Sequence, residues 1–588
     1  MLQTSPDRAF LDVDHSLTGR RWVGPDGATE RRAEGLAQAA ALPLPVARIL
    51  AERGVPAEEA PGFLAPKLRD LLPDPRRLRD MEVAAARLNT AVKASERIAI
   101  FADYDVDGGA SAALLLDWLG QQERRATLYI PDRIDEGYGP NPGAMRGLAA
   151  THDLIVCVDC GTMSHEALAA ATECEVIVLD HHLGGATLPR ALAVVNPNRA
   201  DESGELGHLC AAGVVFLTLV EANRQKREAG GGAMPDLLGM LDLVALATVA
   251  DVAPLVGVNR AFVRQGLLVM AQRARPGLAA LADVARLDTA PAPFHLGHVV
   301  GPRINAGGRV GRSDLGARCL ATTCRVEAAR LAAELDALNR ERRSIEAAVR
   351  EAALAQAEAR AEARPTLAWA AGEGWHPGVV GIVAARLKEA VNRPAVVIGI
   401  EGGIGKGSAR SIPGVDLGHA VHRLAEEGLL IKGGGHAMAA GLTVAENRIE
   451  AAMARLGELL APALANAPGR GELRISGLLA GTPERALWDM IECAGPFGAA
   501  APAPRFALPA MRVERVVSVG DGQHLRVSLR GPGEALLEAM AWGAMSNPLG
   551  PSLLAASGGR IHVAGRLELS SWQGRERLRL RLDDAAIA

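Results

Sequence analysis

Aromatic side chains are scarce in this 588-residue chain, at 3% of its residues. Stacking platforms for nucleic-acid bases are therefore confined to a few places. The seven cysteines are scattered and odd in number, which argues against a disulfide framework and fits a reducing compartment. Cys157 and Cys160 form a C-x-x-C pair. On a strand, an odd separation would turn them to opposite faces, against a shared zinc or redox role. The first residues lack a basic run followed by an apolar one, and no stretch of about 18 apolar residues occurs, so a soluble cytoplasmic protein is the default expectation. A dominant charge is missing as well. The net charge of -4 does not mark a general polyanion binder, and any nucleic-acid contact must come from local grooves.

What the chain does have is Asp103-Tyr104-Asp105-Val106-Asp107-Gly108, which follows the apolar run Ile98-Ala99-Ile100-Phe101-Ala102. In an extended chain, residues two apart point the same way, so the three carboxylates can converge. That much like charge is costly unless a cation neutralises it. An EF-hand loop also reads D-x-D-x-D-G, but it needs an acidic twelfth residue, which here is Leu114, and a helix before it. A metal-binding strand end is the better reading.

From 97 to 200, β-type runs at Ile98–Ala102, Thr127–Ile130, Asp153–Val158, Glu175–Leu179 and Leu192–Val195 alternate with helical runs near 109–120, 142–150 and 164–172. Such alternation implies a parallel sheet covered on both faces, with its site at the carboxyl ends of the strands. Asp103, Asp105, Asp107, Asp159 and Asp180-His181-His182 all fall there. Asp251 ends an apolar helix, just before Pro254. Gly301 to Arg309 reads as a glycine-rich loop carrying Arg303 and Arg309. Helical spacing of Leu331, Leu335, Leu338, Ile345 and Val349 over 325–364 marks a connector of about 60 Å, ended by Pro365.

Residues 366–465 read as a second α/β unit. Glycine-rich stretches at Gly374–Gly378 and Lys432–His436 are each expected to open a helix, where backbone N–H groups can approach a phosphate. From about 470 there are 14 Arg and no Lys against 12 Asp and Glu. His524–Arg530 and Arg577–Leu582 alternate apolar and polar or cationic residues, the pattern of a small antiparallel barrel with a basic face, near Trp572. That face could bind single strands or simply be solvated. Carboxylate-rich donors with one histidine pair suit Mn²⁺ or Mg²⁺ rather than zinc. Because neighbouring residues on a strand face apart, one histidine can bind metal while the other meets substrate.

Taken in order, these motifs, with Val158-Asp159-Cys160-Gly161, Ala250-Asp251 and Gly433 to Gly441, resemble the DHH phosphoesterase superfamily, and within it a branch of single-strand-specific exonucleases. The resemblance implies an α/β fold: a 1–42 arm, a 43–324 parallel-sheet DHH domain, a 325–364 connector helix, a 365–468 DHH-associated α/β domain and a 469–588 OB-like barrel. It also implies a two-metal hydrolase that degrades single-stranded DNA from the 5′ end to 5′-mononucleotides in repair and recombination, alongside a helicase and a single-strand-binding protein. By motif, Asp105 and Asp159, with Asp103 beside them, would hold one metal. Asp107, Asp159, His181 and Asp251 would hold the other. His182 would touch the scissile phosphate, with Asp180 orienting the pair. Arg303 and Arg309 would grip the 5′ end, and His376, Arg410, Ser411 and His436 would line the cleft. Arg303 or Arg309 could instead be ion-pair partners within the fold.

Two features depart from the family. Phe101 stands where some relatives place a metal-binding histidine, which implies fewer protein ligands for the first metal. Gly495 to Pro502 replaces a Gly-Asn-Pro-type loop. Two other functions are compatible with the superfamily, a phosphodiesterase for short oligonucleotides or cyclic dinucleotides and a non-catalytic scaffold. The C-terminal segment counts against the first, and the full set of carboxylates and histidines counts against the second.

Overall fold

The computed structural model describes residues 8–132, 136–361, 366–465, 471–479, 481, 483–531, 535–572 and 575–588, with Ser571, Trp572 and Arg575 described by their backbone alone. Pro365 and the Trp572 side chain lie outside the described residues. The chain folds as two units, one made of Met1–Leu72, Leu255–Ala261 and Gly469–Ala588, the other of Pro73–Pro254 and Phe262–Pro468.

The second unit begins with the expected parallel sheet, whose strands lie in the order Ala126–Tyr129, Ile98–Ala102, Leu154–Val158, Glu175–Leu179, Ala193–Val195. Ile98 sits opposite both Ala126 and Leu154, and every residue of Ile98–Ala102 and Leu154–Val158 is buried. Helices cover both faces of a parallel sheet, so its central strands are apolar throughout rather than alternating. Where Ile98–Ala102 ends, Asp105 caps the helix Val106–Gly120, its Oδ1 accepting from the Asp107 and Gly108 amides at 2.9 and 3.1 Å. Gly108 is needed for this tight turn, because a Cβ there would lie 2.4 Å from the Asp103 carbonyl oxygen.

The connector helix runs Arg325–Arg360, 36 residues. Leu331 and Leu335 on its first half are fully buried, while Val349, Ala353 and Ala357 on its second half join a core with Ala370, Val379 and Val383. One helix thus belongs to two successive α/β bodies of the same unit. The stretch expected as a glycine loop is instead a helix, Gly301–Val310, with Pro302 in its first turn. Its glycines serve close packing: a Cβ at Gly307 would meet Leu335 at 3.3 Å, and one at Gly308 would meet Tyr104 at 3.0 Å.

The second sheet has the order Lys432–His436, Ala439–Ala445, Ile404–Arg410, Ala395–Glu401, Ala368–Glu373, parallel only in its last pair. Lys432–His436 does not open a helix; it is an edge strand in a hairpin with Ala439–Ala445. Its glycines let the helix Leu417–Glu426 pack directly on the strand, since a Cβ on Gly433 would come within 2.9 Å of Val421. Gly374–Gly378 does lead into a helix, Pro377–Val391.

In the first unit, Phe506–Val519, His524–Arg530, Leu536–Ala541, Arg575–Ile587 and Arg560–Trp572 form a sheet that closes on itself through Phe506–Val519 and Arg560–Trp572. Val527, Leu529, Val563 and Leu580 fill the five-stranded barrel while Arg526 and Arg577 face outward. The boundary expected at residue 42 lies elsewhere. The helix Leu44–Glu52 puts Val46, Ile49 and Leu50 into the barrel's core, so residues through Leu72 go with the barrel and not with the parallel sheet. Arg21–Val23 pairs in parallel with Glu472–Arg474, and the fully buried Trp22 donates its indole N–H to Asp584 Oδ2 at 3.0 Å. Local patterning shows that a helix is amphipathic but not which distant core receives its apolar face.

Candidate active site

The carboxyl ends of three neighbouring strands deliver Asp103, Asp159 and Asp180, and the helix Leu241–Ala250 delivers Asp251 as its capping residue. Asp159 adopts a left-handed backbone, φ +60°, which a non-glycine residue holds only under constraint from its surroundings. Its Oδ1 is buried without a hydrogen-bond partner. His181 Nε2 stands 3.3 Å from that atom, 3.7 Å from Asp107 Oδ2 and 3.8 Å from Asp251 Oδ2.

Three overlapping groups of donor atoms result, each within 4.8 Å: Asp103, Asp105 and Asp159; Asp107, His181 and Asp251; and Asp159 with both histidines. Asp107 is fully buried, and its two oxygens accept the Ala212 and Ala211 amides at 2.8 and 2.7 Å, at the start of the helix Ala211–Glu228. That dipole end offsets only part of the cost of burying the charge. Burial, then the neighbouring carboxylates Asp107, Asp105 and Asp103, pushes the Asp159 carboxyl well above its ordinary range. Burial and the charges of Asp107 and Asp105 push Asp251 up to about 8. Burial likewise raises Asp107, with His181 and the helix amides opposing it. A divalent cation resolves this crowding, and oxygen donors with one imidazole match Mn²⁺ or Mg²⁺.

The two histidines differ in their surroundings. His181 faces the carboxylates with 16% of its side chain exposed, whereas His182, at 46%, faces outward and bonds through Nδ1 to Asp180 Oδ1 at 2.8 Å. Burial would raise Asp180, but the His182 hydrogen bond and charge hold it at about 2. Burial lowers the His182 pKa, and the bond to Asp180 outweighs that and raises it. Phe101 is fully buried and stacks on Tyr129, with ring centroids 5.2 Å apart. Cys157 and Cys160 do not face apart: Cys160 lies beyond the strand end, past the left-handed turn at Asp159, and both thiols join one apolar cluster. Burial raises both thiol pKa values, which keeps them protonated and unsuited to metal or redox work.

The residues expected to bind substrate separate into two kinds. Arg309 and Arg410 line one cavity of about 460 Å³ with Gly378, Gly381, Arg386 and Ser408. Arg309 donates to the Gly378 carbonyl at 3.1 Å, and Arg410 to Ser408 Oγ at 2.8 Å. Arg303 instead bonds Asp336 of the connector at 3.0 Å and the Val299 carbonyl at 2.7 Å, as the ion-pair alternative has it. Ser411 is buried, its hydroxyl donating to the Val415 carbonyl at 2.7 Å. His376 caps its helix, with Nδ1 accepting from the Gly378 amide at 3.0 Å, and His436 lies exposed on the edge strand.

Sequence reasoning missed Ser408, although it shares a strand face with Arg410 two residues on. It also missed Tyr138, whose hydroxyl lies 3.2 Å from both the Asp159 carbonyl and His182 Nε2. The turn signal Gly137-Tyr138-Gly139, with both glycines at positive φ, was the available clue. On the barrel, Trp542, 45% exposed and 5.7 Å from the Arg579 guanidinium, is a further residue the alternation did not single out.

Comparison with known proteins covers nearly the whole chain. The DHH family N-terminal domain matches residues 97–248, the DHHA1 domain 364–461 and the RecJ OB domain 480–584. The single-stranded-DNA-specific exonuclease RecJ of Dickeya dadantii is 38% identical over 92% of this chain and 96% of its own length. The Escherichia coli protein of the same name is 35% identical over 93% and 96%. The crystal structure of Thermus thermophilus RecJ in complex with Mn²⁺ superposes with a TM-score of 0.77 at 30% identity, covering 96% of this chain and 79% of that one; a Mg²⁺ complex gives 0.71. This chain therefore belongs to the RecJ family.

Proposed function

We propose that the protein is a two-metal exonuclease that hydrolyses single-stranded DNA from its 5′ end to 5′-mononucleotides, in DNA repair and recombination. The observation that carries this reading is the gathering of Asp103, Asp105, Asp107, Asp159, His181 and Asp251 into overlapping groups of donor atoms, with one buried Asp159 oxygen left without a hydrogen bond. In this reading Asp103, Asp105 and Asp159 hold one ion, and Asp107, Asp159, His181 and Asp251 hold the other. Such a pair of ions, when bound, supplies an activated water and neutralises charge developing at phosphorus.

The chain's own residues do the rest. His182, whose pKa the bond to Asp180 raises against burial, donates from its ring to a non-bridging oxygen of the scissile phosphate. Asp180 holds that ring in place. Arg309, Arg410 and Ser408 receive the terminal phosphate in their cavity, where guanidinium forks bind phosphate without reading sequence. The outward arginines of the barrel and Trp542 offer cationic and stacking contacts to a single strand. A helicase and a single-strand-binding protein would supply and present the strand. Among the described residues no helix is long and apolar enough to cross a membrane, in keeping with work in the cytoplasm.

The test uses a long single strand labelled at either end, with Mn²⁺ or Mg²⁺. Labelled mononucleotide is expected first from the 5′ end, with duplex resistant and Asp107→Ala inactive. Cleavage of dinucleotides alone would replace this reading with a short-oligonucleotide phosphodiesterase.

A further inference from the structure

We infer that Asn196 and Asn198 are positioning residues for the histidine pair, acting through the backbone of His181 and His182. Asp180 and Asn196 follow neighbouring parallel strands, Glu175–Leu179 and Ala193–Val195, and the Asp180 amide donates to the Val195 carbonyl at 3.1 Å. Asn196 is fully buried. Its Nδ2 donates to the His182 carbonyl at 2.8 Å and to Thr162 Oγ1 at 2.8 Å, and its Oδ1 accepts the Asn198 amide at 2.8 Å. Asn198 in turn donates Nδ2 to the His181 carbonyl at 2.5 Å.

From the other side, Asp180 Oδ1 accepts the His181 and His182 amides at 2.7 and 3.2 Å, and its Oδ2 accepts the Thr162 amide at 3.0 Å. Every backbone polar group of the two histidines is thereby held, the N–H groups by one carboxylate and the carbonyls by two carboxamides. The division follows chemistry, because a carboxylate can only accept and the carboxamide NH₂ is the group that donates. Thr162 links the two halves, so the bracket closes on itself. A side chain at a strand end has few neighbours to fix it, and this bracket supplies the missing constraint on where His181 Nε2 points. It fixes a ligand's orientation from outside the metal's own donor set.

The inference rests on His181 being a metal ligand, and the experiment separates the two. Mn²⁺ binding is measured by calorimetry on full-length wild type, His181→Ala, Asn198→Ala and Asn198→Asp, together with kcat and KM on single-stranded DNA and the melting temperature. Asn198 is only half-buried, and Asp keeps its shape while removing the donor. Both Asn198 variants are expected to lose roughly 10-fold or more in Mn²⁺ affinity and in kcat. KM and melting temperature should stay near wild type, and Asp should do worse than Ala because its carboxylate repels the His181 carbonyl. Wild-type Mn²⁺ affinity in Asn198→Asp, or milder damage from Asp than from Ala, overturns the positioning role. Unchanged Mn²⁺ binding in His181→Ala would instead overturn the metal-site reading beneath it.

Discussion

The carboxylate site and the arginine cavity lie in one unit of the protein but follow opposite designs. The first gathers like charges from several separate segments, buries most of them and spends backbone amides, a helix start and a carboxamide bracket to hold them in place. The second sets three cationic side chains and a serine around a cavity and holds its two half-buried arginines in part through neutral oxygens, Arg309 through the Gly378 carbonyl and Arg410 through Ser408 Oγ and the Ala409 carbonyl. The contrast teaches that the site whose geometry must be exact is the one built against electrostatic cost. Attraction of a phosphate tolerates a looser frame, because charge acts at a distance and a guanidinium fork adapts.

Three experiments can break or sharpen that contrast. The largest effect is expected from Asp159→Asn, which keeps the shape and removes the charge shared by two donor groups: a loss of about 1,000-fold or more in kcat, measured on labelled single strands. Retention of most of the activity would mean that Asp159 is not the hub. Next comes Arg410→Ala, which removes one charge-assisted bond worth roughly 2 kcal/mol. It should raise KM about 10- to 100-fold on 5′-phosphorylated strands, do so less on 5′-hydroxyl strands, and leave Mn²⁺ binding intact.

The smallest effect is thermal. In the metal-free protein Asp251 has its pKa raised to about 8, above the unfolded value, so its ionisation destabilises the fold as pH rises from the ordinary carboxylate range through about 8. Added Mg²⁺ should therefore raise the melting temperature by a few degrees more at pH 8.5 than at pH 6. Equal shifts at both values would show that this carboxylate repulsion is not what the cation relieves.

The fold class was legible because its signals are local. Ile98–Ala102 and Leu154–Val158 are apolar at every position, and the arginine strands alternate at period two. The carboxylates were legible because they sit at strand ends, where a parallel sheet places function. What escaped was tertiary. Nothing near Arg303 shows that Asp336, 33 residues on, would claim its guanidinium. Glycines at 301–308 and 433–435 look like loop residues, yet here they let a helix and a strand pack closely against their neighbours. Asn196 and Asn198 carry no motif of their own, and their part emerges only once two strands place them beside the histidines.

The pairing of Arg21–Val23 with Glu472–Arg474 also sets an order of events. During synthesis from the N-terminus, the first strand has no partner until some 450 further residues have emerged, and the Trp22 indole none until Asp584, 562 residues on. The intervening unit can complete its sheets meanwhile, since its strands pair within Pro73–Pro254 and Phe262–Pro468. The barrel-bearing unit is thus the last to close. Any ribosome stall or nonsense codon before residue 472 would leave the helix Leu44–Glu52 with its apolar face exposed, a ready substrate for chaperones and proteases.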